Sequence, residues 1–239
     1  MSPTQVVLAF LVFAAGACIQ GAVGFGANLV AAPLLVLLSE RFVPGPVVVA
    51  SGVLNLLVTA RHRGGGHVDP TVSTAIVGQV VGTLAAGVVM AMLPSEGLSV
   101  LFAVLVLTAV ALSSAGLQLA PSRRNLAGAG LASGFMGTVS GIGGPPIALA
   151  YLQLHGPRLR ATLSRFFLAG NLVAIPTLVV VGKLGADHVV PCLILIPAAV
   201  AGYLGSSWLA AHLDRRTARP IILALSVGAS IAVLIRTLV

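Results

Sequence analysis

Charged residues are scarce in this sequence, and that scarcity excludes a water-soluble globular protein. Only 8% of the 239 residues are charged, whereas 58% are hydrophobic. A soluble domain carries about 25% charged residues, so this chain cannot cover a water-facing surface. Apolar runs of about 20 residues recur along it, and they indicate membrane-spanning helices rather than a barrel, whose strands alternate in hydrophobicity.

Acidic residues are missing from the interior of the apolar segments. The five acids all lie in loops or near segment ends: Glu40, Asp69, Glu96, Asp187 and Asp214. Intramembrane carboxylates are the usual proton or sodium relay of a transporter, and none is visible here. The segments also hold no cluster of His, Asp or Glu that could act as acid, base or metal ligand. We therefore expect no enzyme, no metal and no cofactor.

Cysteine is rare too, which leaves little scope for thiol chemistry. Cys18 and Cys192 sit inside apolar segments, where a free thiol behaves as a small hydrophobic group.

The first five residues hold no basic residue, so a cleavable signal peptide is not expected. The net charge of +8 does not indicate nucleic-acid binding, because the basic residues fall in short loops between apolar segments and follow the positive-inside rule instead.

Glycine, by contrast, is abundant, and two glycine-rich stretches interrupt apolar runs where an unbroken helix is expected. The stronger one is residues 137–146, GTVSGIGGPP, and a fainter copy is residues 20–28, QGAVGFGAN. In lipid, irregular backbone survives only where protein buries it or where it lines a cavity. Two such breaks at corresponding places in two halves point to the binding site of a transporter.

The apolar segments predict a broken hairpin followed by three helices, and then the same arrangement again. The first half, 1–120, contains 4–22 and 26–38 around its break, then 44–60, 71–93 and 97–119; the second half, 121–239, contains 125–140 and 144–154 around its break, then 162–182, 188–211 and 217–237. Three residue matches recur at nearly constant offsets of 117, 116 and 120, namely Gly24–Gly141, Asn55–Asn171 and Gly82–Gly202. We therefore predict two membrane repeats in one structural unit.

The distribution of Lys and Arg predicts how the broken segments lie in the membrane. If each crosses once, six basic residues face one side and seven the other; if each returns to its side of entry, the split is ten against three. The second arrangement is a strong positive-inside signal. The limbs 26–38 and 144–154 are also short for about 30 Å of hydrocarbon. We predict re-entrant or short two-pass hairpins, both termini outside the cytoplasm, and an inverted-topology repeat.

The breaks offer an anion site. After each one a short helix begins, whose first amides lack intrahelical partners and carry partial positive charge, and two such N-termini converging on one cavity would bind an anion. Asn55 and Asn171 lie at equivalent places in the following helices, and we expect both to face the centre. The predicted substrate-binding residues are Gly24, Phe25, Gly26, Asn28, Asn55, Ser140, Gly141, Gly143, Gly144, Pro145 and Asn171.

Close helix packing is the competing interpretation of the glycines. Three pairs fit the small-xxx-small pattern of membrane helices, namely Gly78/Gly82, Gly130/Gly134 and Gly137/Gly141. Each asparagine alone is more typical of an interhelical hydrogen bond than of a ligand. We interpret Gln20 and Gln79 as structural residues.

Two short motifs resemble the signatures of a known family. Residues 21–29, GAVGFGANL, with Pro33, and residues 140–146, SGIGGPP, with Tyr151, are similar to the two signatures of the TauE/SafE sulfite exporter family. The resemblance covers essentially the whole chain. It implies an inner-membrane permease of bacteria or archaea for small sulfur-containing anions, such as sulfite, sulfoacetate or related organosulfonates.

Two functional classes remain open on the sequence. One is a secondary transporter that exports a small sulfur-containing anion, and the other is a channel-like pore for small anions or weak acids. An anion leaving a cell with a negative interior gains about 2.3 kcal/mol per charge per 100 mV, so export can run by facilitated diffusion or be coupled through protonation of the substrate. The expected partners are the anion and the lipid bilayer, and a homodimer is left open.

Overall fold

The computed structural model describes residues 1–61, 68–115 and 119–212, and all regular structure in these ranges is helical. Nine α-helices follow one another within these described ranges: α1 Pro3–Val23, α2 Ala27–Leu38, α3 Gly45–Arg61, α4 Val72–Met92, α5 Ser95–Ser114, α6 Arg123–Ser140, α7 Gly144–Ala150, α8 Gly156–Val180 and α9 Val189–His212. Short 3₁₀ turns occupy Glu40–Phe42 and Ala186–His188. The predicted segment 217–237 lies outside the described residues.

Five helices of the described ranges are long and apolar enough to cross a membrane. They are Pro3–Val23, Val72–Met92, Ser95–Ser114, Gly156–Val180 and Ala186–Leu209. The helices Ala27–Leu38 and Gly45–Arg61 are apolar but shorter. The prediction of an all-helical, multi-pass membrane protein is therefore confirmed.

The predicted helix boundaries differ most from the structure at α8. This helix begins at Gly156 rather than at 162, because His155 is extended and Pro157 occupies the first turn, where its missing amide hydrogen costs nothing. The apolar pattern concealed this start, since the first turns of α8 carry Arg158 and Arg160. Helix α5 ends at Ser114 instead of 119, and α7 ends at Ala150 instead of 154.

The principal helix pairs join the first half of the chain to the second. Helix α4 packs along α6, α1 packs along α9, and α3 packs along α8. Within one half, α1 contacts α2 and α6 contacts α7. The core of the molecule is thus built between the halves and leaves neither as a separate compact body.

Four glycines bring the backbones of α4 and α6 into direct contact. A Cβ atom built at any of them would overlap a backbone carbonyl of the facing helix; the pairs are Gly78–Ala127, Gly82–Leu131, Gly130–Ala75 and Gly134–Gln79. Small residues allow such close approach between membrane helices, where dispersion and not the hydrophobic effect drives association. Close packing is therefore the correct interpretation for these two glycine pairs.

Two hydrogen bonds show the direction in which the short helices α2 and α7 run. The Gln5 side chain donates to the carbonyl of Leu38 at 3.1 Å, which brings the end of α2 beside the start of α1. The Leu119 amide donates to the carbonyl of Leu149 at 3.2 Å, which brings the end of α7 beside the segment that precedes α6. Each short helix therefore runs back toward the beginning of the helix before it.

A polar cluster connects the segment before α4 with the end of α7 and the start of α8. Asp69 accepts hydrogen bonds from Arg158 at 3.0 Å and from the Thr71 amide at 3.0 Å, and its own amide donates to the Thr162 hydroxyl at 3.0 Å. The Thr71 hydroxyl lies 3.2 Å from the Tyr151 hydroxyl. Burial alone raises the pKa of Asp69, but the Thr71 hydrogen bonds and the Arg158 charge outweigh it and lower the pKa below its ordinary value.

We expect Gly130→Ala to destabilise the protein by about 1–3 kcal/mol, because the added methyl group pushes α6 away from the Ala75 carbonyl. Gly128→Ala on the same helix is the matched control, since a Cβ there meets nothing within 4 Å and alanine is favoured over glycine in a helix. Reversible unfolding in detergent measures both. Equal destabilisation by the two substitutions would contradict the backbone contact.

Asp69→Asn is expected to lower the thermal stability at neutral pH and to remove the part of its pH dependence that lies below the ordinary aspartate pKa. Because the pKa of Asp69 is lowered in the folded protein, the ionised carboxylate stabilises the fold above the ordinary aspartate pKa, and this contribution is lost as the pH falls through the lowered value. The two proteins should thus converge at low pH. Glu96→Gln, at the exposed start of α5, is the control, and a constant difference between wild type and Asp69→Asn at every pH would refute the argument.

Candidate functional site

The first break lies between α1 and α2 and depends on two glycines. Gly24 ends α1 with a φ of 108°, and its amide donates to the Gln20 carbonyl at 2.7 Å. Gly26 precedes α2 with a φ of 104°. L-residues with a side chain are strained at such positive φ values, so the reversal of direction requires glycine at both positions.

The second break, between α6 and α7, begins in the same way and continues differently. Gly141 ends α6 with a φ of 76°, and its amide donates to the Gly137 carbonyl at 3.0 Å. Gly143 then precedes α7 with a φ of −97°, which any residue can adopt. A Cβ atom at Gly143 would nevertheless lie 2.6 Å from the Ser133 carbonyl oxygen, so glycine is required there for space.

The two short helices differ in the backbone donors that they offer. In α7, Pro145 and Pro146 have no amide hydrogen, and the Ile147 amide donates to the Ser133 hydroxyl at 3.1 Å. Gly144 is thus the remaining donor of the first turn. In α2 the cap residue Gly26 supplies no side-chain hydrogen bond, and the first three amides, residues 27–29, precede the intrahelical pattern.

The two breaks touch each other. The side-chain nitrogen of Asn28, Nδ2, donates to the Gly141 carbonyl at 2.7 Å and to the Ser51 hydroxyl at 2.8 Å. A Cβ atom at Gly144 would lie 3.4 Å from the Phe25 ring. The start of α2 is therefore tied to the end of α6, although 113 residues separate the bonded groups.

Arg160 of α8 supports the first break from one side. Its guanidinium donates to the Ala22 carbonyl at 3.1 Å, and its side-chain stem lies 3.4 Å from a Cβ atom built at Gly24. A cation at the C-terminus of a helix satisfies an orphan carbonyl and opposes the negative end of the helix dipole. Arg160 thus stabilises the end of α1.

A cavity of about 70 Å³ lies where the breaks meet, and the described part of its wall carries no charged residue. It is lined by Gln20, Gly26, Asn28, Leu29, Val48, Ser51, Asn55, Gln79, Thr83, Ser133, Gly134, Gly137, Thr138, Gly141, Ile142, Gly143, Gly144, Pro145, Phe167, Gly170, Asn171 and Ala174. At roughly 10–15 Å³ per water on this measure, the space suits about five water-sized groups.

Three carboxamides form a chain of hydrogen bonds along the cavity wall. Gln20 donates to Asn55 at 2.9 Å, Asn55 donates to Asn171 at 3.1 Å, and Asn171 donates to the Val48 carbonyl at 3.0 Å. Each carboxamide nitrogen carries two hydrogens, and the chain uses one of them. Asn55 and Asn171 thus meet at the centre of the molecule and retain donor capacity.

Eight of the eleven predicted binding residues line this cavity. They are Gly26, Asn28, Asn55, Gly141, Gly143, Gly144, Pro145 and Asn171. The other three, Gly24, Phe25 and Ser140, lie in the breaks but outside the lining. The Ser140 hydroxyl donates to the Met136 carbonyl at 2.7 Å and accepts from the Ile142 amide at 3.3 Å, so it is used within the second break.

Sequence reasoning missed several polar members of the wall. They are Gln20, Ser51, Gln79, Thr83, Ser133 and Thr138. All six are buried, and an isolated polar group in an apolar helix is costly unless it has a partner. The cost of placing a polar side chain in an apolar helix could have indicated that these residues face a polar compartment. It applies to Gln20 and Gln79, which we interpreted as structural.

The fold and this cavity define a multi-pass helical membrane protein with a small polar compartment between two helix breaks, whose described lining is uncharged. Residues 8–233 match the family described as Sulfite exporter TauE/SafE, so the chain belongs to the TauE/SafE sulfite exporter family. The resemblance found in the two motifs is thereby confirmed, and the family indicates a membrane transporter of sulfite or a related sulfur anion. Comparison with curated proteins and with solved structures finds no match.

Asn28→Ala is expected to destabilise the protein by about 1–3 kcal/mol, because it removes the partly buried side-chain donor that serves both the Gly141 carbonyl and the Ser51 hydroxyl. Asn125→Ala is the matched control, since Asn125 also donates to a backbone carbonyl, that of Ala120, but at an exposed position. Thermal unfolding in detergent compares the variants. A loss no greater for Asn28→Ala than for Asn125→Ala would mean that the contact between the breaks contributes little.

Proposed function

We propose that the protein exports a small sulfur-containing anion, such as sulfite, sulfoacetate or another organosulfonate, and binds it in the cavity between the two breaks. The observation that carries this proposal is the meeting of both breaks at one polar cavity, in which none of the described lining residues is charged. In an apolar surrounding, oriented amides can hold an anion without a counter-charge. Membership of the TauE/SafE family supports the substrate class.

The proposed ligands of the anion are backbone amides and carboxamide nitrogens. The start of α2 supplies amides at 27–29, and Gly144 supplies one at the start of α7. Asn55 and Asn171 add side-chain donors from α3 and α8. The proposed site therefore draws donors from four helices, and the first break contributes more of them than the second.

An inverted repeat is part of the proposal, and paired contacts support it. In such a repeat α1 corresponds to α6, α3 to α8 and α4 to α9. The contact α1–α9 then corresponds to the contact α6–α4, and the contact α3–α8 corresponds to itself. A Cβ atom at Gly24 would contact Leu163, and one at Gly141 would contact Val47; the offsets between the corresponding residues are 117 and 116. Asn55 and Asn171 then face each other across the axis that relates the halves.

The proposed orientation places both termini outside the cytoplasm of a bacterial or archaeal cell. It rests on the ten-to-three distribution of basic residues and on the return of α2 and α7 toward the starts of α1 and α6. Of the ten residues assigned to the cytoplasmic side, Arg63, Arg215, Arg216 and Arg219 lie outside the described residues. Export along the membrane potential gains about 2.3 kcal/mol per charge per 100 mV.

Binding of an anion panel tests the site directly. We expect purified protein to bind sulfite and sulfoacetate in preference to taurine, sulfate and acetate, and Asn55→Ala and Asn171→Ala each to weaken binding by about tenfold, the worth of one hydrogen bond to a charged group. Asn125→Ala, at a residue that does not line the cavity, is the control. Unchanged affinity in both cavity variants would remove these asparagines from the site.

Flux into proteoliposomes separates a transporter from a pore. A transporter should saturate with substrate and show counterflow, whereas a channel-like pore shows neither. Imposing a potential with potassium and valinomycin should accelerate flux of the anion toward the positive side. Absence of any response to the potential would contradict facilitated export of a charged species.

A further inference from the structure

One buried acceptor in the cavity wall has no hydrogen-bond partner. Two buried side-chain atoms of the described residues are unpaired, Thr59 Oγ1 and Gln79 Oε1, and of these residues Gln79 alone lines the cavity. The Gln79 residue is 5% exposed. A buried acceptor without a partner is unfavourable, and the described residues provide no donor for this one.

The side-chain acceptors of the three asparagines in the wall, in contrast to that of Gln79, are already occupied. Asn55 Oδ1 accepts from Gln20, Asn171 Oδ1 accepts from Asn55, and Asn28 Oδ1 accepts from the Ser51 hydroxyl at 3.3 Å. A ligand with a hydrogen to donate therefore finds these three carbonyl groups in use. Among the described residues of the wall, Gln79 Oε1 is the side-chain acceptor that is buried without a hydrogen-bond partner.

The Gln79 carboxamide lies against α8 at a glycine that makes room for it. A Cβ atom at Gly170 would overlap the Gln79 nitrogen and would lie 2.6 Å from its Cδ and 3.1 Å from its Oε1. Gly170 is itself part of the cavity wall. The terminal torsion of glutamine is broad and roughly two-fold, so a turn about it lets the oxygen meet a ligand in the cavity.

The second half of the chain does not duplicate this acceptor. At the offset of 120 that relates Gly82 to Gly202, Gln79 corresponds to Ala199, which is fully buried in an apolar cluster. The described wall thus pairs Asn55 with Asn171 across the two halves but carries the buried unpaired acceptor Gln79 Oε1 in the first half alone. This acceptor can take one hydrogen from a ligand.

We infer that the transported species is a monoanion that still carries one hydrogen, such as hydrogensulfite in its hydroxyl form, and that Gln79 recognises this hydrogen. The inference rests on the proposed function and specifies its substrate. The absence of charge in the described wall acts in the same direction, because the cost of removing an ion from water rises steeply with its charge and disfavours the dianion. Each transported anion then carries one proton with it.

Hydrogensulfite and methanesulfonate, two monoanions of similar size, test this inference. Sulfite loses its second proton near neutral pH, whereas methanesulfonate is a monoanion without a hydrogen to donate at any pH in the range. We expect the apparent affinity of the wild-type protein for total sulfite to fall about tenfold per pH unit above that ionisation. The affinity for methanesulfonate should stay constant over the same range.

Gln79→Met should weaken binding of hydrogensulfite about tenfold, the worth of one lost hydrogen bond to a charged ligand, and leave methanesulfonate binding unchanged. Gln20→Met is the comparison, since Gln20 orients the donor chain and should weaken both anions alike. Retained thermal stability shows that the variants are folded.

Sulfite affinity that is independent of pH, or equal losses for both anions in Gln79→Met, would overturn the inference while leaving the proposed function standing. Such results would mean that Gln79 holds only a water. Failure of sulfite, sulfoacetate and methanesulfonate to bind at any pH would overturn both the inference and the proposed function.

Discussion

A helix that breaks inside an apolar slab exposes backbone groups that lipid cannot satisfy, and this constraint governs the centre of the molecule. The protein meets it by bringing the breaks together, so that Asn28 at the start of α2 pairs with the Gly141 carbonyl at the end of α6. Ser133 serves the Ile147 amide, and Arg160 serves the Ala22 carbonyl. The cavity lies beside the first two of these contacts, because Asn28, Gly141 and Ser133 also form part of its wall.

How well each feature could be predicted from the sequence depends on how distinctive its residue pattern is. The breaks were predicted to within a residue or so, because a cluster of glycines in an apolar run admits few structures; α2 begins at Ala27 and α7 at Gly144. The central placement of Asn55 and Asn171 followed from their equivalent positions in the two halves. The early start of α8 was hidden, because its first turns are basic and interrupt the apolar pattern that marks a span.

The roles of the side chains in the cavity wall were harder to predict, because the sequence alone does not tell whether a buried glutamine in a membrane helix serves packing or binding. Gln20 turned out to be the first member of a carboxamide chain that crosses between the halves, and only coordinates reveal such a partner. Likewise, the second break carries the stronger motif, yet Pro145 and Pro146 remove two of its amides. The fainter first break therefore offers more backbone donors.

The interlocking of α4 with α6 has a consequence for the order in which the protein is made. The ribosome completes α4 about 30 residues before α6 begins, so the glycine face of α4 must wait in the membrane for its partner. Helix α1 waits longer, because the α9 glycine that approaches the Ala14 carbonyl is Gly202. The first half therefore cannot finish folding during its own synthesis, and the cavity can form only after the second half has been made, because α6, α7 and α8 supply part of its wall.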